Sequence, residues 1–329
     1  MTRNEFDLIR DYFARQPVSR RDVALGIGDD CAITQVPEGC QLAITTDTMV
    51  EGTHFLATAS ASDVAHKALA SNLSDLAAMG AMPAWCSLAL TLPEPDEAWV
   101  AGFCQGFSAL AEYFQVQLIG GDTTRGPKSI TMTLHGHVPH GKALTRDGAK
   151  PGDWLYVTGT LGDSQAGLNY VLGKPVTDEA RAATLINRHY RAQPRVAAGQ
   201  ALRGIASAAI DISDGLVADI QHIIKASGVG ASIDVTQLPL SEALLADVDS
   251  YETAQKLALT SGEEYELCFT VPEMYRGTLE TTLKHTGVTA TCIGQINGSQ
   301  SLQLMADGNP LDWTLSGWDH FKELDSDRS

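Results

Sequence analysis

Four apolar runs in this chain break off at aspartates that sit beside glycine or a hydroxyl residue. They are Gly26-Ile-Gly-Asp-Asp30, Thr45-Thr-Asp47, Gly120-Gly-Asp-Thr-Thr124 after Val116-Gln-Leu-Ile119, and Asp211-Ile-Ser-Asp-Gly215 after Ala208-Ala-Ile210. Such endings predict strands that each carry a carboxylate to the tip, and strand tips in layered folds are where ligands bind. Aspartate also favours turns for its own sake, which explains any one of these loops equally well. Repeated four times, the device points to a layered strand-and-helix fold with an acidic site.

Asp75 adds a fifth position. It lies on a predicted helix over 62–80 that is largely Ala, Leu and Met, with Asp63 and Lys67 its other full charges. Ser71, Asn72 and Asp75 share one face at i, i+3 and i+4 spacing. The stripe is either solvent-exposed or aimed at a partner, because an unpaired buried carboxylate is very costly. If Asp30, Asp47, Asp75, Asp122, Asp211 and Asp214 converge, each pair about 4 Å apart repels by roughly 4 kcal/mol at an effective dielectric near 20. No lysine lies within these motifs to offset that. Hard divalent cations do so, and magnesium in particular joins carboxylates to substrate phosphates. The acidic cluster therefore predicts a phosphate-rich ligand that arrives with its metals.

The 329 residues exceed one ordinary core and predict two domains of roughly 150 residues. Apolar content of 44% and charged content of 19% are those of a folded protein. A net charge of −17 argues against nucleic acid and anionic lipid as partners. The N-terminus has no signal-peptide core and no apolar run approaches the ~20 residues of a membrane span, so a soluble, cytoplasmic protein is expected. The six cysteines are widely spaced without a C-x-x-C, and reduced, buried thiols are the expectation.

Local patterns give the order of elements. Phe6, Ile9, Tyr12 and Phe13 predict a helix over 5–15, ended by Pro17. Apolar segments lie near 23–28 and 41–46. Ser62 is the expected N-cap of the helix that Gly80 ends, and Asp96 opens another that runs to about Phe114. Residues 129–138 alternate as a half-buried strand, with Ile130, Met132 and Leu134 inward. The turn cluster Arg146-Asp-Gly-Ala-Lys-Pro-Gly-Asp153 is the expected domain boundary. Beyond it, strands are expected at 154–158, 208–212, 230–235, 265–271 and 288–296. Helices are expected near 163–172, 178–190, 194–206, 214–227 and 273–286, which makes a C-terminal α/β or α+β layer domain.

Familiar nucleotide signatures are missing. Gly167-Leu-Asn-Tyr-Val-Leu-Gly-Lys174 is one residue too long for a phosphate-binding loop and is followed by Pro175. Gly26-Ile-Gly-Asp-Asp-Cys31 lacks the third glycine of a dinucleotide fingerprint. Gly159-Thr-Leu-Gly-Asp-Ser164 can receive an anion at a helix start or be a plain turn. Arg146 is either a bidentate phosphate clamp or a surface residue. His135 and His137 alternate along a strand without a nearby cysteine and read as structural. His54 is nearer an acidic loop, Glu263 can orient a cationic group, and Trp318 in Gly317-Trp-Asp-His-Phe321 can stack on a flat or cationic ligand or form part of the core.

In order along the chain, these strings resemble the thiamine-monophosphate kinase family of the aminoimidazole-ribonucleotide-synthetase-like superfamily. The matching stretches are Gly26-Ile-Gly-Asp-Asp30, Thr45-Thr-Asp47 with Val50-Glu-Gly-Thr-His-Phe55, Ser71-Asn-Leu-Ser-Asp-Leu-Ala-Ala-Met-Gly80, Gly120-Gly-Asp122, Val157-Thr-Gly-Thr-Leu-Gly-Asp163, Asp211-Ile-Ser-Asp-Gly-Leu216 and Ser261-Gly-Glu263. The resemblance implies a two-domain α/β (α+β) fold: a sheet-pairing, ATP- and metal-binding domain over 1–147 and a layered domain over 148–329. It implies a homodimer with ATP near the interface, and several magnesium ions on Asp30, Asp47, Asp75, Asp122, Asp211 and Asp214, helped by Thr45 and Thr46. ATP would touch Gly121, Asp122, Arg146 and Ser213; thiamine monophosphate would meet His54, Glu263 and Trp318. Glu264 stands where the family often has Asp. The implied reaction is ATP-dependent phosphorylation of thiamine monophosphate to thiamine diphosphate. No catalytic side chain is implied, because an ionised phosphate acceptor needs no general base. Selenophosphate synthetases, in the same superfamily, rely on a reactive residue near the N-terminus, where this chain has no cysteine before Cys31.

Overall fold

A computed structural model describes residues 9–14 and 17–318. Phe6 of the first expected helix, and Asp319, His320 and Phe321 of the tryptophan-bearing string, lie outside the described residues. Of that first helix, a short π-helical turn is described over Ile9–Phe13.

The N-terminal half is one mixed sheet with two helices on it. The strands are β1 (Val23–Leu25), β2 (Ile33–Thr34), β3 (Cys40–Val50), β4 (Met82–Leu92), β5 (Gln117–Arg125) and β6 (Ser129–Pro139); β1 and β2 form a separate small ribbon. The main sheet runs β3-β6-β4-β5, antiparallel except for the parallel β4–β5 pair. The alternation of Ile130, Met132 and Leu134 is realised as expected: all three are fully buried on the helix-covered face. Helices α1 (Ala61–Ala78) and α2 (Glu97–Phe114) cover that face. Asp96 caps α2 by accepting from the Trp99 amide. The cap of α1 is Ser60 rather than Ser62, because the Ser60 hydroxyl is the acceptor that reaches the Asp63 amide.

The C-terminal half is a seven-stranded sheet. Its strands are β7 (Trp154–Thr158), β8 (Ala208–Asp211), β9 (Gly230–Asp234), β10 (Leu267–Val271), β11 (Ala290–Asn297), β12 (Leu302–Ala306) and β13 (Asn309–Pro310), in the order β13-β12-β9-β11-β7-β10-β8. All neighbours are antiparallel save β12 and β9. The helices are α3 (Asp163–Val171), α4 (Glu179–Tyr190), α5 (Val196–Leu202), α6 (Leu216–Ser227), α7 (Glu242–Asp247), α8 (Tyr251–Thr260) and α9 (Arg276–Lys284). This is the two-domain mixed fold expected. Strands β2, β4, β12 and β13 and helices α7 and α8 had no counterpart among the expected elements.

Helix α1 joins the halves. It packs on β3 and β6 on one side and meets α5 and β8 on the other, and its flanks are buried almost end to end. Gly199 of α5 sits so close that a Cβ there would overlap the Ala77 carbonyl. Leu73, Leu76, Leu134 and Phe269, from both halves, share one continuous core, and each fully buried side chain contributes ~1.5–3 kcal/mol. A carboxylate on α1 is thereby held at a fixed distance from the end of β8.

The cysteines are free thiols, but among them only Cys86 and Cys268 are buried. No helix among the described residues is long and apolar enough to cross a membrane.

Candidate active site

The predicted residues divide between two cavities. The first, about 620 Å³, lies between the halves and is lined by Asp47, His54 and Asp75 from the N-terminal side and by Asp211, Ser213, Asp214, Glu263 and Trp318 from the C-terminal side. The second, about 640 Å³, lies against the N-terminal sheet and holds Asp30, Gly121 and Asp122. The six aspartates therefore do not meet in one bowl within a single chain. Four share a cavity; Asp30 and Asp122 share another, where both are exposed.

Strand geometry explains part of this division. Asp211 does end its strand, and Asp30 follows β1 in a loop. Asp47 and Asp122 are instead inside strands, since β3 pairs with β6 along its whole length and β5 continues beside β4 to Arg125. Side chains alternate along β3. Thr45 and Asp47 face α1, where the Thr45 hydroxyl donates to Asp75 Oδ2. Thr46 points to the opposite face, where its hydroxyl pairs with that of Thr133 at 2.9 Å. Gly121 has φ +153°, and a Cβ there would overlap the Leu88 carbonyl of the neighbouring strand. Only glycine permits so close an approach.

On α1, Ser71 and Asp75 line the first cavity, whereas Asn72 is turned into the packing and donates to the Ala68 carbonyl. Burial raises the pKa of Asp75, and the charges of Asp211 and Asp47 raise it further. Burial likewise raises Asp211, opposed by the Ser74 hydroxyl bonded to it. Asp47 shifts the same way for the same leading reason. Arg146 is exposed and lines neither cavity, yet its charge favours the ionised forms of Asp75 and Asp211. Crowded carboxylates whose ionised forms are penalised suit a divalent cation chemically. Among the described residues no three acidic, imidazole or thiol side chains form a ready-made metal shell.

Two buried carboxylates shape the loops around this cavity. Asp219 Oδ2 accepts from the backbone amides of Ser213, Asp214 and Gly215 at 3.0–3.1 Å. Burial and the neighbouring Asp211 and Asp214 charges push its pKa up to about 8. Glu264 Oε1 accepts from the amides of Gly162 and Ser164 and from the Ser261 hydroxyl, pinning the start of α3. The longer side chain at position 264 is thus fully accommodated. On either side of Glu264, Glu263 and Tyr265 adopt left-handed backbone at φ +57° and +53°. That is an uncommon state for side-chain-bearing residues, at a cost of order 1–3 kcal/mol each.

The absence of a lysine from the motifs does not carry into three dimensions. Lys67, one turn before Ser71, is 1% exposed and places Nζ 2.8 Å from Glu263 Oε2. His54 accepts from the Val50 amide at Nδ1, which leaves its proton on Nε2. Trp318 is half-exposed at the rim, its amide donating to the Asp214 carbonyl at 2.9 Å. Lys67, Asp219 and Ser74 are the polar neighbours that sequence reasoning missed; for Lys67 and Ser74 the one signal was a polar residue in a largely apolar helix, and Asp219, on a helix that also carries Gln221, His222 and Lys225, gave none.

Residues 28–138 match the family "AIR synthase related protein, N-terminal domain", and residues 150–307 match its C-terminal domain. The chain is 55% identical to thiamine-monophosphate kinase of Salmonella typhimurium, over 98% of this chain and 99% of that protein. It is 56% identical to the Escherichia coli enzyme of the same name, with the same coverage. Among solved structures, thiamine-monophosphate kinase of Stenotrophomonas maltophilia superposes with a TM-score of 0.85 at 44% identity, covering 94% of this chain and 99% of that one. A second structure, described as "AaThiL complexed with AMPPCP and TMP", superposes with a TM-score of 0.76 at 33% identity, covering 96% of each chain.

Proposed function

The chain belongs to the thiamine-monophosphate kinase family of AIR synthase related proteins, and from that premise we propose that it transfers the γ-phosphoryl group of ATP directly to the phosphate of thiamine monophosphate. The observation that carries this reading is the single cavity that collects Asp47, Asp75, Asp211 and Asp214 beside His54, Glu263 and Trp318. Acidic residues are of little use to a nucleotide or phosphate ester alone. Beside an aromatic ring, an imidazole and a carboxylate, they make a site with a metal–phosphate end and an organic end.

Asp47, Asp75, Asp211 and Asp214 would hold magnesium, with Thr45 fixing the Asp75 carboxylate; when bound, the metal neutralises phosphate charge. The chain's own residues supply positioning. Asp219 gathers three successive amides and sets the Ser213–Asp214 loop, so Asp214 faces the cavity from a fixed backbone. Trp318 offers a ring for the heteroaromatic end of the substrate, while His54 and Glu263 offer a donor and an acceptor. The acceptor phosphate, with a second pKa near 6, is mostly ionised at neutral pH, so no side chain must remove a proton. Alignment and charge compensation then make up most of the catalysis.

The second cavity, with Asp30, Gly121 and Asp122, enters this reading as part of an ATP and metal site completed by a second copy. The exposed Leu42 and Ile44 on β3 and Met82 on β4 support a homodimer in which the N-terminal sheets pair. The domain division at 147/148 leaves the four-stranded sheet and the β1–β2 ribbon on one side and the seven-stranded sheet on the other, and a cytoplasmic location fits the substrates. Light scattering should return twice the chain mass.

Incubation with ATP, magnesium and thiamine monophosphate is expected to yield thiamine diphosphate and ADP in equal amounts. Tight nucleotide binding without turnover would make the protein a sensor instead. A labelled phosphoryl-protein that is chemically competent would exclude direct transfer.

A further inference from the structure

Lys67 lies outside the acidic motifs, yet it is one of the largest fully buried side chains in the protein. Its ammonium group has three hydrogens and three acceptors, one on each of three chain segments. Glu263 Oε2 is 2.8 Å away, the His54 carbonyl 3.0 Å and His189 Nε2 3.3 Å. His189 is itself buried, and burial together with the Lys67 charge holds its pKa down at about 4. The ring is therefore neutral and can accept at Nε2, while Nδ1 lies 3.3 Å from the Ser164 hydroxyl. Ser164 is a further wall of the first cavity.

The three acceptors have little else in common. His54 follows β3, Glu263 sits in the left-handed stretch before β10, and His189 ends α4. Two of them are residues proposed to meet the organic end of the substrate. An ammonium removed from water this completely is stable only while its partners stay in place. By the same bonds, the partners are held by it.

We infer that Lys67 is a positioning residue for substrate recognition, fixing Glu263 and the His54 loop as one rigid unit at the thiamine end of the cavity. The inference rests on the function proposed above and deepens it. None of the three acceptors around Lys67 belongs to the four aspartates of the cavity. Loss of Lys67 should therefore weaken the grip on thiamine monophosphate and leave the nucleotide side alone.

The test compares the wild type with Lys67→Met, which keeps length and removes the charge. KM for thiamine monophosphate should rise at least tenfold, with KM for ATP and kcat changing less than threefold. Losses of equal size on both substrates, a loss confined to kcat, or no change would each overturn the inference. Lys67→Arg covers the case in which the methionine variant does not fold: it keeps the charge but cannot reproduce the three-acceptor geometry. The same split is expected in it, smaller in size, and an unaltered KM for thiamine monophosphate would overturn the inference. A wild-type protein that binds ATP but makes no thiamine diphosphate would fail the proposed function itself, and this inference with it. A wild type that turns over while the variants lose both substrates equally would fail the inference alone.

Discussion

Ser74 donates its hydroxyl to Asp211 Oδ2 at 2.7 Å, across 137 residues of sequence and from the first half of the molecule to the second. The bond lies beside Asp75 and ties the helix that joins the two sheets to the strand end that opens the acidic loop. It favours the ionised form of a carboxylate that burial otherwise pushes toward neutrality.

Removing that donor should be felt as a pH effect. In Ser74→Ala the Asp211 carboxyl loses a bond to its charged form, so its pKa rises further. Turnover that needs ionised Asp211 should then fall off at higher pH on the acid limb. A shift of one unit would mean roughly tenfold less activity below the limb and little change well above it. A pH–rate profile of both proteins checks this. Asp75→Asn and Asp211→Asn should instead lose ~100-fold or more at every pH, since the carboxylate is gone rather than retuned.

Glu264 makes a cleaner case for pH-dependent stability. Its folded pKa is raised by burial from 4.5 to about 8. The stabilising contribution of this group is therefore complete below about pH 4.5 and disappears as pH climbs through about 8, at up to ~1.4 kcal/mol per unit. All three of its hydrogen bonds go to Oε1, which a glutamine carbonyl can replace. Glu264→Gln should flatten that part of the profile, as read by urea unfolding at pH 5, 7 and 9.

Gly317 packs so tightly that a Cβ would overlap both the Asp214 carbonyl and the Ala218 side chain. Gly317→Ala should push the irregular segment 311–318 off the acidic loop and carry Trp318 away from the cavity. KM for thiamine monophosphate should rise in this variant and in Trp318→Ala alike, and circular dichroism should show the sheets unchanged.

Arg195 grips Glu266 with two bonds of 2.6 and 2.5 Å, and Glu266 is 1% exposed. Arg195→Met leaves that carboxylate with the weaker Arg188 contact at 3.4 Å and the Thr158 hydroxyl. A loss of ~3 kcal/mol is expected in chemical denaturation, because removing one partner of a buried pair exposes the full desolvation cost of the other.

Periodicity and capping made several elements legible in advance. The strand at Ser129–Pro139 and the helix from Asp96 to Phe114 needed only their own side chains to define them. Helix α1 was clear, although its cap was assigned two residues late because Ser60 and Ser62 carry the same chemistry. The strand expected from 265 starts at Leu267, since Glu263 and Tyr265 are held left-handed by bonds to Ser213 and Ile212 that no local rule foretells. Strand β4 was unread because it is nearly continuous in apolar residues, and a strand buried in the middle of a sheet has no alternation to show.

By itself the sequence determined that this chain would fold into layers and carry carboxylates at recurrent loops, because apolar runs, turn residues and charge are local properties. Which carboxylates share a cavity was decided only by tertiary structure. Asp75 reaches Thr45 and stands near Asp211 because α1 is clamped between two sheets, while Asp30 and Asp122 are held apart against another face. Lys67 was invisible as a partner for the same reason: its three acceptors lie on segments that only folding brings within 3.3 Å of one nitrogen.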